Sequence, residues 1–171
     1  MVSVHHYNSP LGGITLASDG NALTGLWFDR QKYFGAMLDE SREEKELPVF
    51  QQADQWLNIY FSGKKPEFTP PLVMNTTPFR KIVWHILLSI PYGQTITYGE
   101  IAKQAAKTMG LTHMSAQAVG GAVGHNSISL IIPCHRVVGS NGSLTGYAGG
   151  IDKKIKLLQW EGIDTSKFFV P

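Results

Sequence analysis

Hydrophobic positions early in the chain come in three short runs, Val2–Tyr7, Ile14–Ala17 and Leu23–Phe28. Between them stand Pro10-Leu11-Gly12-Gly13 and Asp19-Gly20-Asn21, residues that favour tight turns. Short β-prone runs punctuated this way predict a small antiparallel meander. The charged stretch from Asp39 to Glu46 predicts a solvated loop or a frayed helix. Val49, Ala53, Trp56, Leu57 and Tyr60 then recur at helical spacing, one apolar stripe that stops near Gly63 and Pro66.

Pro66–Pro71 and Asn75-Thr76 read as a connection, after which the pattern changes to helices. Thr77 is a candidate N-cap, with Pro78 in the first turn and Phe79, Ile82, Val83, Ile86 and Leu87 on a buried face. Ile90-Pro91-Tyr92-Gly93 ends that helix in a turn. Thr97-Tyr98-Gly99-Glu100 matches a capping box, predicting a helix from about Tyr98 to Lys107. Ser115 caps a second short helix, Ala116–Gly124, and the pair suggests a helix-turn-helix. Asp152 is placed to cap a last helix bearing Ile155 and Leu158 with the basic Lys153, Lys154 and Lys156, ending at Glu161-Gly162.

The predicted class is α+β. Residues 1–76 form a small N-terminal antiparallel-sheet domain with a helix. Residues 77–171 form a mostly helical, winged-helix-like C-terminal domain containing the helix-turn-helix.

The segment Ala116–Gly124 is almost all small residues. Its three glycines cost roughly 1 kcal/mol each relative to alanine in a helix. Either neighbouring helices pack closely there, or a nucleic-acid backbone approaches it and tolerates no side chain. Charge bears on that choice. The net charge of +2 conceals two unlike halves: 6 basic and 9 acidic side chains in residues 1–76, 9 basic and 4 acidic in residues 77–171. A basic second half points towards a polyanion.

Composition excludes several classes. With 43% apolar and 16% charged residues, a largely disordered chain is not expected. No run approaches a membrane span, so no membrane partner is expected. Met1–His6 lacks the basic-then-apolar pattern of a signal peptide, and a single cysteine fits an intracellular, cytoplasmic setting. One cysteine also excludes an intrachain disulfide or a multi-cysteine zinc site. The six histidines show no ligand spacing, so neither a metal nor any other cofactor is expected.

That cysteine, Cys134, follows the buried run Leu130-Ile131-Ile132 and precedes a stretch rich in glycine. A lone cysteine is either a small buried hydrophobe or a nucleophile. Its neighbours His135 and Arg136 favour the nucleophile, because imidazole and cationic groups stabilise thiolate. Adjacent side chains of an extended segment diverge, so His135 reaches the sulfur only if the chain turns sharply or a water relays the proton. An acid must orient the base. Glu100 already caps a helix, and Asp152 and Asp164 lie at edges, which leaves Glu161.

Pro133-Cys134-His135-Arg136-Val137 resembles the active-site motif of the O6-alkylguanine-DNA alkyltransferases. The similarity continues through Pro78-Phe79 with Val83-Trp84, Gly93-Gln94-Thr95 to Tyr98, and Ala118-Val119-Gly120-Gly121-Ala122. It extends to Asn126, Gly146-Tyr147-Ala148-Gly149-Gly150, and Lys156-Leu157-Leu158 before Glu161-Gly162. It covers essentially all of residues 77–171, and the first half more loosely.

The resemblance implies a DNA-repair alkyltransferase that accepts the alkyl group of O6-alkylguanine, and of O4-alkylthymine as a second candidate, irreversibly on Cys134 after base flipping. It further implies that His135 acts through a water with Glu161 polarising it, that Asn126 braces the turn, and that Tyr98 rotates the nucleotide out and donates to guanine N3. Val123, Val137, Tyr147 and Ala148 would form the base pocket. Thr97, Tyr98, Ser115, Ala116, Gln117, Ala118, Gly121 and Arg136 would meet double-stranded DNA in the minor groove, and the protein would act as a monomer.

Two positions depart from the family pattern. Gln117 stands where an arginine commonly fills the gap left by the flipped base, and Ser127 where proline is expected. Relatives with tryptophan at the acceptor position bind DNA without transfer; Cys134 argues against that reading. Rival classes are a non-catalytic DNA-binding module recognising alkylated bases and a cysteine hydrolase of small substrates, which would need an oxyanion hole and would turn over repeatedly.

Overall fold

A computed structural model describes residues 2–31 and 42–171 of the protein, so the expectation for 39–41, and Met1, lie outside the described residues. The chain divides into two compact units, one of residues 1–75 with 127–131 and one of residues 76–126 with 132–171.

The first unit carries a four-stranded sheet in the order β3-β2-β1-β4. Strands β1 (Val2–Ser9), β2 (Gly12–Ser18) and β3 (Leu23–Phe28) form the antiparallel meander. The sheet is not wholly antiparallel. Arg42–Glu44, within the stretch expected to be loop or frayed helix, forms β4 and pairs parallel with β1. Its three residues are exposed, and charged side chains suit a short edge strand because they discourage further pairing. At the other edge, Leu26 N–H donates to Ser127 O (2.8 Å) and Leu26 O accepts from Ser129 N–H (2.9 Å). Residues 127–131, counted with the second half by sequence, thus belong to this unit.

Helix α1 (Pro48–Phe61) buries Val49, Phe50, Ala53, Trp56, Leu57 and Tyr60, the stripe its spacing predicts. Trp27 folds its indole over Gly25, where a Cβ would lie 2.0 Å from the ring, so the large aromatic is accommodated only because position 25 has no side chain.

In the second unit, α2 (Pro78–Leu88) starts at Thr77, whose side chain accepts from Arg80 N–H, with Pro78 in the first turn. Helix α3 (Tyr98–Met109) starts at Thr97, which accepts from Glu100 N–H, and ends at Gly110 in the left-handed conformation (φ 68°). Helix α4 (Ala116–Gly124) starts at Ser115, which accepts from Ala118 N–H. Caps of this kind satisfy backbone donors that a helix start leaves open. Helix α5 (Ile151–Trp160) begins one residue earlier than expected, with Gly150 as N-cap, so Asp152 lies in the first turn and not at the cap.

Strands β5 (Ile96–Thr97) and β6 (Val137–Val138) pair in parallel beside the helix-turn-helix. Val138, Leu144 and Leu158 form a small core with Ile155, Ile163 and Phe168. Among the described residues no helix is long and apolar enough to cross a membrane.

Candidate active site

The thiol is presented by a sharp bend. Cys134–Arg136 forms a single 3-10 turn, with Cys134 N–H donating to Ile132 O (2.8 Å) and Arg136 N–H to Pro133 O (3.1 Å). Asn126 Nδ2 donates to Ile132 O at 2.8 Å. That bond closes the neck of the 127–131 excursion directly before the turn, and the Asn126 side chain also favours the Cys134 thiolate. The alternation of an extended chain therefore does not apply at Cys134-His135.

Four of the residues involved carry or can carry charge, and all are buried. His135 Nε2 lies 2.5 Å from Glu161 Oε2, with both side chains inaccessible. Arg136 Nε donates to Glu161 Oε1 at 2.8 Å, and its Nη1 donates to Ile90 O at 2.7 Å. Gly93 N–H, at φ 80° in the turn after α2, donates to the same Oε1 at 3.0 Å. Burial alone would raise the Glu161 carboxyl, but His135 and Arg136 outweigh it and hold the pKa at about 2. An ionised carboxylate only accepts, so His135 Nε2 carries its proton and Nδ1 is the basic nitrogen. Burial lowers the His135 pKa more than Glu161 raises it, which leaves the ring neutral at rest and able to take a proton. Burial also raises the Cys134 thiol, with Asn126 and Lys154 opposing it, so the resting group is the neutral thiol.

Tyr98, at the start of α3, donates its hydroxyl to Thr145 O at 3.1 Å. Burial, then Cys134, pushes its pKa up to about 12, so it remains a proton donor at neutral pH. Gly146 (φ 74°) runs beside it, and a Cβ there would sit 3.4 Å from the Tyr98 hydroxyl oxygen. The Tyr147 ring meets His135 edge-on at 6.5 Å between centroids, and a Cβ on Gly149 would lie 2.6 Å from the Tyr147 ring. The Tyr147 hydroxyl is buried without a hydrogen-bond partner among the described residues.

The structure thus brings together Cys134, His135, Glu161, Asn126, Tyr98 and Tyr147. Val137 is buried in β6, Ala148 is half-buried next to Tyr147, and Val123 is buried on the inner face of α4 with Val119 and Ala122. Arg136 is not where the DNA-surface expectation put it. It is 7% exposed and tied to Glu161 and Ile90, because a buried carboxylate needs a permanent cation. The remaining positions of that set are accessible: Ser115, Ala116, Gln117, Ala118 and Gly121 are exposed, Thr97 and Tyr98 half-buried.

Helix α4 resolves its two readings. Its inner face is held by Val119, Ala122 and Val123, and Trp84 Nε1 donates to Ala122 O at 2.9 Å. A Cβ added at Gly120, Gly121 or Gly124 would meet nothing within 4 Å. Helix packing therefore does not require these glycines, and they leave the outer face bare.

Sequence reasoning missed Lys154, counted there as one more basic residue of α5. It is fully buried, and its Nζ donates to Thr145 O at 3.0 Å. The signal was present: Lys154 shares one helical stripe with the buried Leu157, Leu158 and Glu161. Gly93 N–H and the Thr145 carbonyl act through the backbone, which side-chain patterns do not report.

Two family models match the chain. One, described as the DNA binding domain of 6-O-methylguanine DNA methyltransferase, covers residues 78–163, and the other, its ribonuclease-like domain, covers residues 2–74. The chain belongs to the 6-O-methylguanine DNA methyltransferase family. Methylated-DNA–protein-cysteine methyltransferases of this family from Mycobacterium tuberculosis and Methanosarcina acetivorans are 43% and 42% identical over 94% and 91% of the chain, and over 93% and 96% of their own lengths. A crystal structure of the Mycobacterium tuberculosis O6-methylguanine methyltransferase superimposes with a TM-score of 0.79 at 42% identity, covering 94% of this chain and 93% of that one. A second, of Mycobacterium tuberculosis OGT in complex with DNA, gives 0.80 at 40% identity over 97% and 94%.

Proposed function

We propose that the protein repairs alkylated DNA by moving the alkyl group of O6-alkylguanine to Cys134. The observation that carries this reading is the buried His135–Glu161–Arg136 network adjoining the only thiol of a chain in this family.

The Cys134 proton passes through a water to His135 Nδ1, and Glu161, held ionised by Arg136, stabilises the imidazolium that forms. The sulfur attacks the alkyl carbon in line. The S–C bond forms, the C–O6 bond breaks, and the electron pair leaves with guanine. Tyr98 donates to guanine N3 and the Ala148 N–H to O6, which offsets the cost of an anionic leaving group. The carbonyls of Cys134 and Val137 accept from the guanine amino group, Tyr147 walls the pocket, and Val123 borders the space for the alkyl group. The product is a thioether that no thiol exchange reverses, so each molecule reacts once.

A stacked base cannot reach a buried sulfur, so the nucleotide must be rotated out. Tyr98 with Thr97 flanks that movement. Helix α4 enters the minor groove of double-stranded DNA on its bare face, with Ser115, Ala116, Gln117, Ala118 and Gly121 against the backbone, and Gln117 bonding the orphaned base. Residues 77–171 carry binding and transfer, residues 1–76 support them, and the protein acts as a cytoplasmic monomer. O4-alkylthymine, with its analogous exocyclic alkoxy group, is the second substrate.

A duplex labelled on the methyl of O6-methylguanine tests this. Label moves to the protein, saturates at about one equivalent as a single thiolate acceptor dictates, and is lost in Cys134→Ala. Free labelled methanol or repeated turnover would establish a hydrolase instead, and binding without transfer a non-catalytic recognition module.

A further inference from the structure

A lysine that is wholly buried and has no carboxylate bonded to it is costly to keep. Lys154 is such a residue: its Nζ bonds to the Thr145 carbonyl at 3.0 Å, inside the unit that holds the thiol. The same carbonyl accepts from the Tyr98 hydroxyl at 3.1 Å. One oxygen with two lone pairs thus holds two donors, one from the start of α3 and one from the middle of α5. Tyr98 has one hydroxyl hydrogen and cannot donate to Thr145 and to a base at once. A carbonyl abandoned in a buried site loses a hydrogen bond outright, which would oppose any movement of Tyr98.

We infer that Lys154 is a positioning residue for alkyl transfer: by holding the Thr145 carbonyl on its own, it allows the Tyr98 hydroxyl to leave that carbonyl for the extruded base. This rests on the alkyl-transfer reading of the site. Lys154 keeps Thr145-Gly146-Tyr147 in place during the exchange, so the pocket wall does not follow Tyr98. Its ammonium also faces the ionisable groups Cys134 and His135, favouring the thiolate and disfavouring the protonated imidazole until the proton has moved. The other groups acting on the thiol are Asn126, by a hydrogen bond, and the Tyr98 and Tyr147 hydroxyls, whose own ionisation Cys134 opposes.

The test is a double-mutant cycle on the full chain, read as the single-turnover rate of methyl transfer from an O6-methylguanine duplex. Lys154→Met is expected to slow transfer at least about tenfold, because Tyr98 becomes the sole donor to Thr145, and Lys154→Arg to recover it to within about threefold. In a Tyr98→Phe background, where no hydroxyl has to be released, Lys154→Met should cost less than about threefold. The same loss in both backgrounds, or Lys154→Met as fast as the parent, overturns the inference. Thermal unfolding confirms that each variant is folded, and Lys154→Gln replaces Lys154→Met in the cycle if the latter is not. A parent protein that transfers no methyl fails the alkyl-transfer reading itself. In that case the pH profile of Cys134 alkylation by iodoacetamide still reports on Lys154, moving to higher pH in Lys154→Met and back in Lys154→Arg if the ammonium faces the thiol, and staying put if it does not.

Discussion

The two units bury polar groups for different ends. In the first, the core of Ile14, Leu16, Leu26, Trp27, Phe28, Leu57 and Tyr60 is apolar. Its buried polar side chains serve the local backbone: Ser18 Oγ donates to Ala22 O (2.6 Å) and Gln31 Oε1 accepts from Phe28 N–H (2.8 Å). In the second, Glu161, Arg136, His135 and Lys154 are buried together around a thiol. A core of the first kind is what stability requires. One of the second kind carries a desolvation cost that hydrophobic residues would avoid, and what it supplies in return is control of proton positions.

The contrast can be broken most severely at Glu161. Glu161→Gln leaves Arg136 buried without its counter-charge and should lower unfolding free energy by about 3–5 kcal/mol, with methyl transfer per folded molecule reduced at least about 100-fold. Chemical denaturation and single-turnover kinetics check both.

Leu57→Ala in the first unit is the matched control. It should cost about 2–5 kcal/mol for the cavity it opens, while transfer per folded molecule is unchanged. A comparable kinetic loss would erase the distinction between the two cores.

Acid should expose the second core. Burial depresses the His135 pKa, so the unfolded chain binds the proton more readily and stability falls as pH drops below about 6.5. The Glu161 carboxyl is depressed to about 2, so its contribution is complete above an unfolded value of about 4.3 and is lost as pH falls through about 2. Denaturation midpoints at stepped pH should show both losses, and Glu161→Gln should remove the lower one.

Smaller effects concern α4 and the surface charge. Gly121→Leu should weaken duplex binding about tenfold, or roughly 1.4 kcal/mol, without loss of stability, since the added side chain projects into open space. Binding titrations and thermal melts on the same protein separate the two. Lys156→Ala should lower the salt slope of DNA affinity by about one unit at most, and an affinity flat in salt would contradict the proposed surface.

Much of the fold was legible because local chemistry fixes it. Thr77-Pro78, Thr97-Tyr98-Gly99-Glu100 and Ser115 start helices where their caps predict, and the α1 stripe faces inward as spaced. Strand β4 was not legible: Arg42–Glu44 has no apolar pattern, and its pairing with β1 is a long-range choice. The start of α5 shifted by one residue because Gly150, at φ 98°, takes the cap position that Asp152 was expected to fill. In the site, Cys134, His135 and Glu161 were found from residue type and elimination. Arg136 and Lys154 were misplaced because a charge count treats every cation as surface. Removing both, with Glu161, leaves the second half with 7 basic and 3 acidic side chains that are not buried, still cationic but differently distributed.

The sequence by itself determined that one thiol, flanked by an imidazole, would be the reactive group, since nothing else in the chain offers that pair. It also determined the order and type of most elements, because caps, turns and apolar spacing act over a few residues. Only the tertiary structure decided what the charges do. It brought Arg136 and Gly93 onto the Glu161 carboxylate, set Lys154 and Tyr98 on one carbonyl, and showed the α4 glycines facing open space. The reason is physical. Whether a charge costs or contributes depends on how far it is from water and what it faces, and burial is a property of the packed chain, not of any residue in it.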